Sequence, residues 1–177
     1  LFTNDYESWL KKARTATVLA WTVLGAGIFL GGFWAYETLG WGGYWGWDPV
    51  ENASLVPWLI ATIILHFQFG AHNNKGFFKP MISASIFGYI FVVYGSFLTR
   101  SGVLGDFSVH SFSGGDIGLL LGGVVALLTM LGFFVLAFKW QDIPAGEIYD
   151  GVSNPNFLLV AAMLVIVVMA IIVTFGM

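Results

Sequence analysis

A glycine-rich loop crowded with aromatic residues is the part of this chain best suited to bind a flat ligand. Five of the eight tryptophans lie between positions 34 and 58: Trp34, Trp41, Trp45, Trp47 and Trp58. Tyr44 adds another ring, and the glycines around it let the backbone bend tightly and approach a ligand closely. Large rings on such a loop form an apolar wall for a planar macrocycle. The pattern predicts a ligand platform, and an aromatic belt at the membrane interface is the plainer alternative.

The residues that follow the aromatic loop have two interpretations. Asp48, Pro49 and Glu51 have the spacing of a helix start, with Asp at the N-cap, Pro at the first helical position and Glu at the third. This is the pattern of a capping box. Asp48 also adjoins the tryptophans and could contact the same ligand. The sequence leaves both roles open for this residue.

Three histidines could coordinate a metal, and an imidazole can ligate heme iron directly. His66 lies inside a predicted membrane helix, where an ionisable side chain is costly and marks function by default; a neutral imidazole hydrogen-bonded between helices is the alternative. His110 lies in the segment of residues 100–116, which we expect on the same side as the tryptophans. His72 lies at a predicted helix end, where a solvent-exposed histidine that binds no ligand is the preferred interpretation. Arg100 could pair with a heme propionate through its planar guanidinium, or anchor a helix end at the interface.

The composition excludes most soluble classes of protein. Of 177 residues, 58% are hydrophobic and 10% charged, with a mean hydropathy of +0.83, whereas a soluble domain carries about a quarter charged residues. The net charge is −3 and no basic block occurs, so the sequence predicts no nucleic-acid partner. The absence of cysteine excludes disulfides and thiolate metal sites. No serine nucleophile stands beside a base, and no paired carboxylates occur within a span, so a hydrolase has no support.

Five stretches are long and apolar enough to cross a bilayer, which takes roughly 20 residues as a helix. They are residues 17–36, 52–71, 81–99, 117–138 and 157–177. Lipid offers no hydrogen-bond partner to an open backbone, so these spans must be helices. No repeat or linker divides the chain. We therefore predict an all-α integral membrane protein, a bundle of about five helices forming one membrane domain over residues 1–177. Interior glycines on two of the spans suit close contact between helices: Gly25, Gly27, Gly31, Gly32, Gly118, Gly122 and Gly123.

The positive charges are divided unevenly between the two predicted faces. One face carries six of them: Lys11, Lys12, Arg14, Lys75, Lys79 and Lys139. Arg100 lies on the other face. Because cytoplasmic loops carry the excess of Lys and Arg, we predict a cytoplasmic (or mitochondrial matrix) N-terminus. The tryptophan-rich loop, about residues 40–54, and the loop of about residues 100–116 then face outward.

Several segments together resemble a known family. Residues 40–54 (GWGGYWGWDPVENAS) with residues 57–59 (PWL) resemble the tryptophan-rich WWD signature of heme-handling membrane proteins. Residues 100–104 (RSGVL) and 109–112 (VHSF) are similar to the next outward loop of one branch of that superfamily. That branch is the CcmF family, the large subunits of the cytochrome c heme lyase. The similarity covers nearly the whole chain.

The resemblance implies a function and a set of site residues. In this family, heme is presented over the aromatic loop for covalent attachment to apocytochrome c through thioether bonds. His110 would help to ligate that heme, and His66 would ligate a b-type heme within the membrane. Trp41, Tyr44, Trp45, Trp47, Asp48 and Arg100 complete the predicted heme-binding set.

The resemblance also implies partners, a location and an incomplete site. The partners would be apocytochrome c and other maturation subunits that deliver the apocytochrome and the heme. The location would be a bacterial inner membrane, with the active loops periplasmic, in preference to a mitochondrial inner membrane. Each ligating histidine has a partner histidine in the family, yet none precedes His66 and none follows His110. We therefore expect this chain to be a fragment of the enzyme. A heme transporter without lyase activity and an electron-transferring membrane cytochrome are the alternatives.

Overall fold

Five long α-helices make up the fold. The computed structural model describes residues 5–38, 43–105, 108, 110–112 and 117–177. The helices are α1 (Tyr6–Thr38), α2 (Pro49–Ala71), α3 (Phe78–Arg100), α4 (Ile117–Lys139) and α5 (Pro155–Phe175), with a short 3-10 turn, Lys75–Phe77, between α2 and α3. All five are long and apolar enough to cross a membrane, and no strand occurs in the described residues. The predicted all-α, multi-pass membrane architecture is confirmed.

The predicted spans match the helices one to one, and the largest difference lies at the start of α1. This helix begins at Tyr6 and has 33 residues, whereas the apolar pattern placed its start at position 17. At ~1.5 Å per residue such a helix is about 50 Å long, well beyond a bilayer core of about 30 Å. Its first turns are polar and continue the helix outside the hydrocarbon, which a window set for apolar residues does not detect. Asp5 begins it, since its Oδ1 accepts a hydrogen bond from Ser8 N at 3.2 Å.

Helix α2 is the centre of the bundle and packs against α1, α3 and α5. Pro57 lies inside it and has no N–H, so the carbonyl of Ala53 lacks its usual helical donor. Gly95 of α3 lies against this carbonyl, because a Cβ at Gly95 would be 3.3 Å from Ala53 O. Gly88, two turns earlier on α3, meets Ile60 Cγ2 at 3.2 Å in the same way. These small residues let α3 approach α2 closely, as is common between membrane helices.

The helices alternate in direction and give the bundle a basic end and an aromatic end. At the basic end, the turn between α2 and α3 meets the α4–α5 connection: Asn74 Nδ2 donates to Glu147 O at 2.9 Å. In the same region, Lys79 Nζ lies 4.5 Å from the centre of the Trp140 ring. Arg100 ends α3 at the aromatic end. The structure thus separates six cations from one as the sequence predicted, and which end faces the cytoplasm stays a prediction.

We expect reporter fusions placed after Lys75 and after Asp106 to lie on opposite sides of the membrane, with the Asp106 fusion outside. The physical reason is the excess of Lys and Arg at the end that holds Lys75. Phosphatase and fluorescent-protein fusions measure the two sides independently. A third fusion after Asp142 serves as the control and should agree with the Lys75 fusion. Agreement between the Lys75 and Asp106 fusions would contradict the five-span topology.

Candidate functional site

The aromatic loop is held in place by hydrogen bonds from its indole rings. Trp45 Nε1 donates to Asn52 Oδ1 at 3.2 Å, and Asn52 is fully buried in α2. Trp47 Nε1 donates to Gly176 O at 2.8 Å, which ties the loop to the end of α5. Trp47 also has a φ of 56°, an uncommon backbone conformation for a bulky residue that persists only where its surroundings impose it. Both rings are therefore fixed from outside the loop.

The loop lies over the end of α1. The ring of Tyr44 stacks on Tyr36, with centroids 4.5 Å apart and an interplanar angle of 15°. A Cβ at Gly32 would be 2.8 Å from Tyr44 O, so a larger residue there would push the loop away. Tyr44 packs on α1 beside the crevice described below without lining it. The predicted platform residue Trp41 lies outside the described residues.

Asp48 begins α2 and forms the predicted capping box. Its side chain accepts hydrogen bonds from Val50 N at 2.8 Å and Glu51 N at 3.4 Å, while Glu51 Oε2 accepts from Asp48 N at 3.3 Å. Glu51 Oε2 also accepts from Gly46 N at 2.9 Å, which fixes the loop just before the helix. The capping interpretation of these residues is confirmed. A contact between Asp48 and a ligand stays a prediction.

The same carboxylate joins the aromatic loop to the loop that follows α3. Ser108 Oγ donates to Asp48 Oδ1 at 2.8 Å and accepts from the backbone N of His110 at 3.1 Å. His110 Nδ1 lies 3.5 Å from Asp48 Oδ1. A carboxylate at this position favours a proton on Nδ1 and orients the imidazole, as partners of metal-bound histidines do. The structure therefore brings His110 next to the aromatic loop, on the side where the sequence predicted it.

A crevice of about 290 Å³ opens between α1 and these loops. Its lining includes the imidazole of His110, the rings of Trp34 and Trp45, and a face of α1 that carries Gly27 and Gly31. A second crevice of about 340 Å³ shares Trp45 with the first and is almost wholly apolar. The site thus combines one metal-ligating side chain with flat aromatic and glycine surfaces.

The glycine face of α1 corrects an expectation from the sequence. Gly27 and Gly31 were expected at close helix contacts, but a Cβ at either position would meet no other described atom within 4 Å. The same is true of Gly123 on α4. Gly25 does serve a close contact, since a Cβ there would be 2.7 Å from Trp58 Nε1. The open glycines instead leave a smooth helix surface along the crevice.

Arg100 lies near the site without lining the crevice. Its guanidinium is 5.8 Å from the centre of the Phe112 ring, in the range of a cation–π contact. Phe112 N donates to Thr99 O at 2.9 Å, so the loop turns back onto the end of α3. Arg100 is exposed there and retains its ability to form a bidentate pair with an anion. Its contact with a propionate stays a prediction.

His66 lies on an exposed face of α2, and its hydrogen bond stays within that helix. Nδ1 is 2.7 Å from Thr62 O. Because a carbonyl oxygen only accepts, Nδ1 must carry the proton, and the neutral imidazole then keeps a lone pair on Nε2. Among the described residues, His66 forms no hydrogen bond to another helix, which was the alternative. Thr62 is itself fixed, since its Oγ1 accepts from Trp21 Nε1 at 2.9 Å.

The two candidate ligands are far apart. Asp48, beside His110, and His66 are separated by eighteen positions along α2, which at ~1.5 Å per residue is roughly 27 Å. Across the described ranges, no group of three or more His, Cys, Asp or Glu side chains could hold a bare metal ion. Heme iron needs only one or two axial ligands from the protein. Each histidine is thus suited to a separate heme.

A family model described as cytochrome c assembly protein matches residues 1–104. The chain belongs to this family. It is 38% identical to cytochrome c-type biogenesis protein CycK of Rhizobium meliloti, over 86% of this chain and 22% of the relative. It is 36% identical to CcmF of Escherichia coli over 90% of this chain and 25% of that protein, and 46% identical to CcmF of Pseudomonas aeruginosa over 60% and 16%. The chain spans about a quarter of the length of the curated relatives it matches. No solved structure matches it.

The family match covers much of the site of this cytochrome c assembly protein. The model's range holds the aromatic loop, His66 and Arg100, and ends before His110. The match to E. coli CcmF covers 90% of the chain, and a stretch of that length must include His110 as well. The resemblance to the CcmF family predicted from the motifs is confirmed.

Two residues of the site were missed by the sequence reasoning. Ser108 is 7% exposed and links Asp48 to His110, and Asn52 is 0% exposed and holds Trp45. The available signal was weak: each is a small polar residue within two to seven positions of a predicted ligand contact. Buried polar groups are almost always hydrogen-bonded, but their burial here follows from packing between distant segments.

Proposed function

We propose that this chain takes part in cytochrome c maturation by holding heme at the crevice beside the aromatic loop, for covalent attachment to apocytochrome c. The observation that carries the proposal is the position of His110, an imidazole in a crevice with aromatic and glycine walls. The names of the relatives, cytochrome c-type biogenesis proteins, support the same role. Binding apocytochrome c and other maturation subunits is part of the proposal.

The residues present fit a heme. His110 offers an axial ligand, and Trp34 and Trp45 offer ring faces. Gly27 and Gly31 leave a surface that a flat macrocycle can approach, since no described side chain covers them. The Asp48 carboxylate, 3.5 Å from Nδ1 of His110, favours a proton on that nitrogen, so Nε2 is the nitrogen that would ligate the iron.

The rate enhancement of the proposed reaction comes from orienting the reactants more than from acid–base groups. Each thiol of a Cys-x-x-Cys-His segment adds across a heme vinyl group: the S–H bond breaks, one vinyl carbon bonds to sulfur, and the other takes the hydrogen. The addition is redox-neutral and has no leaving group. The chain's own contribution is to fix the plane and edge of heme as a substrate, and effective concentration is a large source of rate enhancement. Trp47 and Asp48 make that placement rigid.

A second heme, of the b type, is proposed at His66. With Nδ1 donating to Thr62 O, Nε2 on the exposed face of α2 is the nitrogen that would hold the heme. A heme bound there supplies one-electron chemistry. His66 itself is oriented by the carbonyl of Thr62, and the indole of Trp21 fixes that turn of α2 against α1.

The proposed location is a bacterial inner membrane with the aromatic end in the periplasm. The supporting observations are the six cations at the opposite end of the bundle and the bacterial origin of the relatives. The crevice lies at the aromatic end, so the proposed heme site and the proposed location both place heme binding on the periplasmic side.

Gly31→Leu is expected to lower heme affinity at the crevice about tenfold without harming the helix. The leucine side chain would take up space in the crevice that heme needs, and forcing a side chain into occupied space costs about 1–3 kcal/mol. Leucine is also a better helix former than glycine, so the substitution does not destabilise α1. Heme titration of the purified chain measures affinity. Holocytochrome c yield is measured with a chimera, E. coli CcmF in which this chain replaces the matching segment.

Gly123→Leu is the matched control, because it adds the same side chain at an open glycine on α4. Its heme affinity and holocytochrome yield should equal those of the parent. Equal losses in both variants would count against the crevice as the heme site. Heme bound normally by the chimera without any holocytochrome would favour a heme carrier.

A further inference from the structure

A polar cavity of about 650 Å³ lies at the basic end of the bundle, and neither His110 nor His66 lines it. The start of α1, the end of α2 and the turn after α2 enclose it. Its charged lining comprises three cations and two carboxylates, with one histidine: Lys11, Arg14, Lys75, Asp5, Glu7 and His72. A cavity with charges of both signs is suited to a ligand that also carries both.

The oppositely charged groups of the cavity do not form salt bridges with one another. The salt bridges of the described residues are Asp48 with His110 and Lys139 with Asp142, and neither lies at this cavity. Asp5 caps α1 through Ser8 N. Glu7, Lys11 and Arg14 lie on α1, and Lys75 lies in the turn after α2. None of these charged groups has an oppositely charged group of the lining within 4.0 Å.

A buried amide provides an independent sign of a ligand. Gln68 lines the cavity and is only 2% exposed. Its Nε2 donates to Thr17 Oγ1 at 3.0 Å, but its Oε1 accepts no hydrogen bond from any described residue. Leaving a buried acceptor unpaired is costly. A ligand that donates N–H or O–H groups into the cavity would remove that cost.

An apolar groove of about 490 Å³ adjoins the cavity and shares Tyr6 with it. Trp9 and the facing surfaces of α3 and α4 line this groove. Gly132 allows those two helices to approach, since a Cβ there would be 2.7 Å from Ile86 Cγ2. The groove begins a few residues inside the basic ends of α3 and α4, at the depth where an acyl chain follows its headgroup.

We propose that this cavity and groove bind one phospholipid with a phosphoethanolamine headgroup from the leaflet at the basic end. Lys11, Arg14 and Lys75 face its phosphate. Glu7 and the Oε1 of Gln68 accept from its ammonium group, and an acyl chain lies in the groove beside Trp9. Phosphatidylglycerol has no cation to offset the charge of the Glu7 carboxylate, and phosphatidylcholine has neither an N–H nor an O–H to donate to Gln68. The proposal is independent of heme binding.

Native mass spectrometry of the purified chain, taken from vesicles of equal parts phosphatidylethanolamine, phosphatidylglycerol and phosphatidylcholine, tests this binding. We expect one phosphatidylethanolamine to be retained in preference to the other two lipids by about tenfold, the value of one charge-assisted hydrogen bond. Arg14→Gln with Lys75→Gln should lower retention of every phospholipid. Glu7→Gln should remove the preference for phosphatidylethanolamine over phosphatidylglycerol, and Gln68→Leu should reduce the preference over phosphatidylcholine.

Lys12→Gln is the matched control, because Lys12 adjoins Lys11 on α1 but does not line the cavity. It should leave retention unchanged. Equal retention of phosphatidylglycerol by the unmodified chain, or an equal loss from Lys12→Gln, would overturn the proposal. Soluble phosphoethanolamine is added as a competitor, and displacement of the lipid at matched concentration would assign the cavity to a soluble ligand instead.

Discussion

Replacing His110 with alanine is expected to abolish heme binding at the crevice and holocytochrome formation, while heme at His66 remains. His66→Ala is expected to do the converse for heme occupancy. The reason is that each site depends on its own imidazole, and the two imidazoles lie roughly 27 Å apart along α2 by the ~1.5 Å rise per residue. Reduced absorption spectra and heme content per molecule, in the purified chain and in the CcmF chimera, measure both pools.

His72→Ala is the control for this pair, because His72 lies at the basic end, lines the polar cavity and lines neither crevice at the aromatic end. Heme content should be unaffected by it. In the chain alone, one imidazole would be available to each proposed heme, so the spectrum should be mixed or high-spin. Loss of both heme signals from either single variant, at normal protein level, would refute two independent sites. A stable low-spin signal from the chain alone would show that the ligands are wrongly assigned, with His72 the first to examine.

Asp48 is expected to give the second large effect, and two substitutions separate its roles. Asp48→Ala removes the N-cap of α2, which costs about 1–2 kcal/mol. It also removes the acceptor of the buried Ser108 hydroxyl, which costs about 1–3 kcal/mol more. Asp48→Asn keeps an acceptor suited to the cap but removes the charge beside His110. We therefore expect Asp48→Asn to fold nearly as stably as the parent and to bind heme more weakly at the crevice.

Protein level, thermal stability and heme per folded molecule distinguish these outcomes. Asn154→Ala is the control: Asn154 caps α5 through Asn156 N at 2.9 Å, on the opposite end of the bundle. It should lower stability by a similar capping energy and leave heme affinity unchanged. If Asp48→Asn lowered only the protein level and left heme per molecule at the parent value, Asp48 would act solely as a cap.

Local patterns were enough to predict the secondary structure and much of the aromatic end. A membrane span depends on the length and hydropathy of one segment, so all five helices could be located from their own residues. The capping box depends on four adjacent positions, and the sequence Asp48 to Glu51 carried it. The start of α1 was misplaced because polar helical turns outside the membrane leave no apolar signal.

The close packing of α3 on α2 could not be predicted in the same way. It depends on the freed carbonyl of Ala53 meeting Gly95, and each of these residues is unremarkable in its own helix. The contrast between Gly25 and Gly27 has the same origin. Both looked equally suited to helix contact, and only the position of Trp58 on the neighbouring helix separates a packed glycine from an open one.

The sequence by itself determined that this protein is an all-α membrane protein of the cytochrome c assembly family, with a histidine and an aromatic loop as candidate heme contacts. Those properties follow from composition, span length and short motifs. Only the tertiary structure decided that Ser108 joins Asp48 to His110 and that Trp47 is fixed by Gly176, contacts that join residues 60 and 129 positions apart. It alone formed the crevice and the polar cavity at the basic end. Such features are the spaces left between packed helices, so they depend on the register of several segments at once, and no single segment encodes that register.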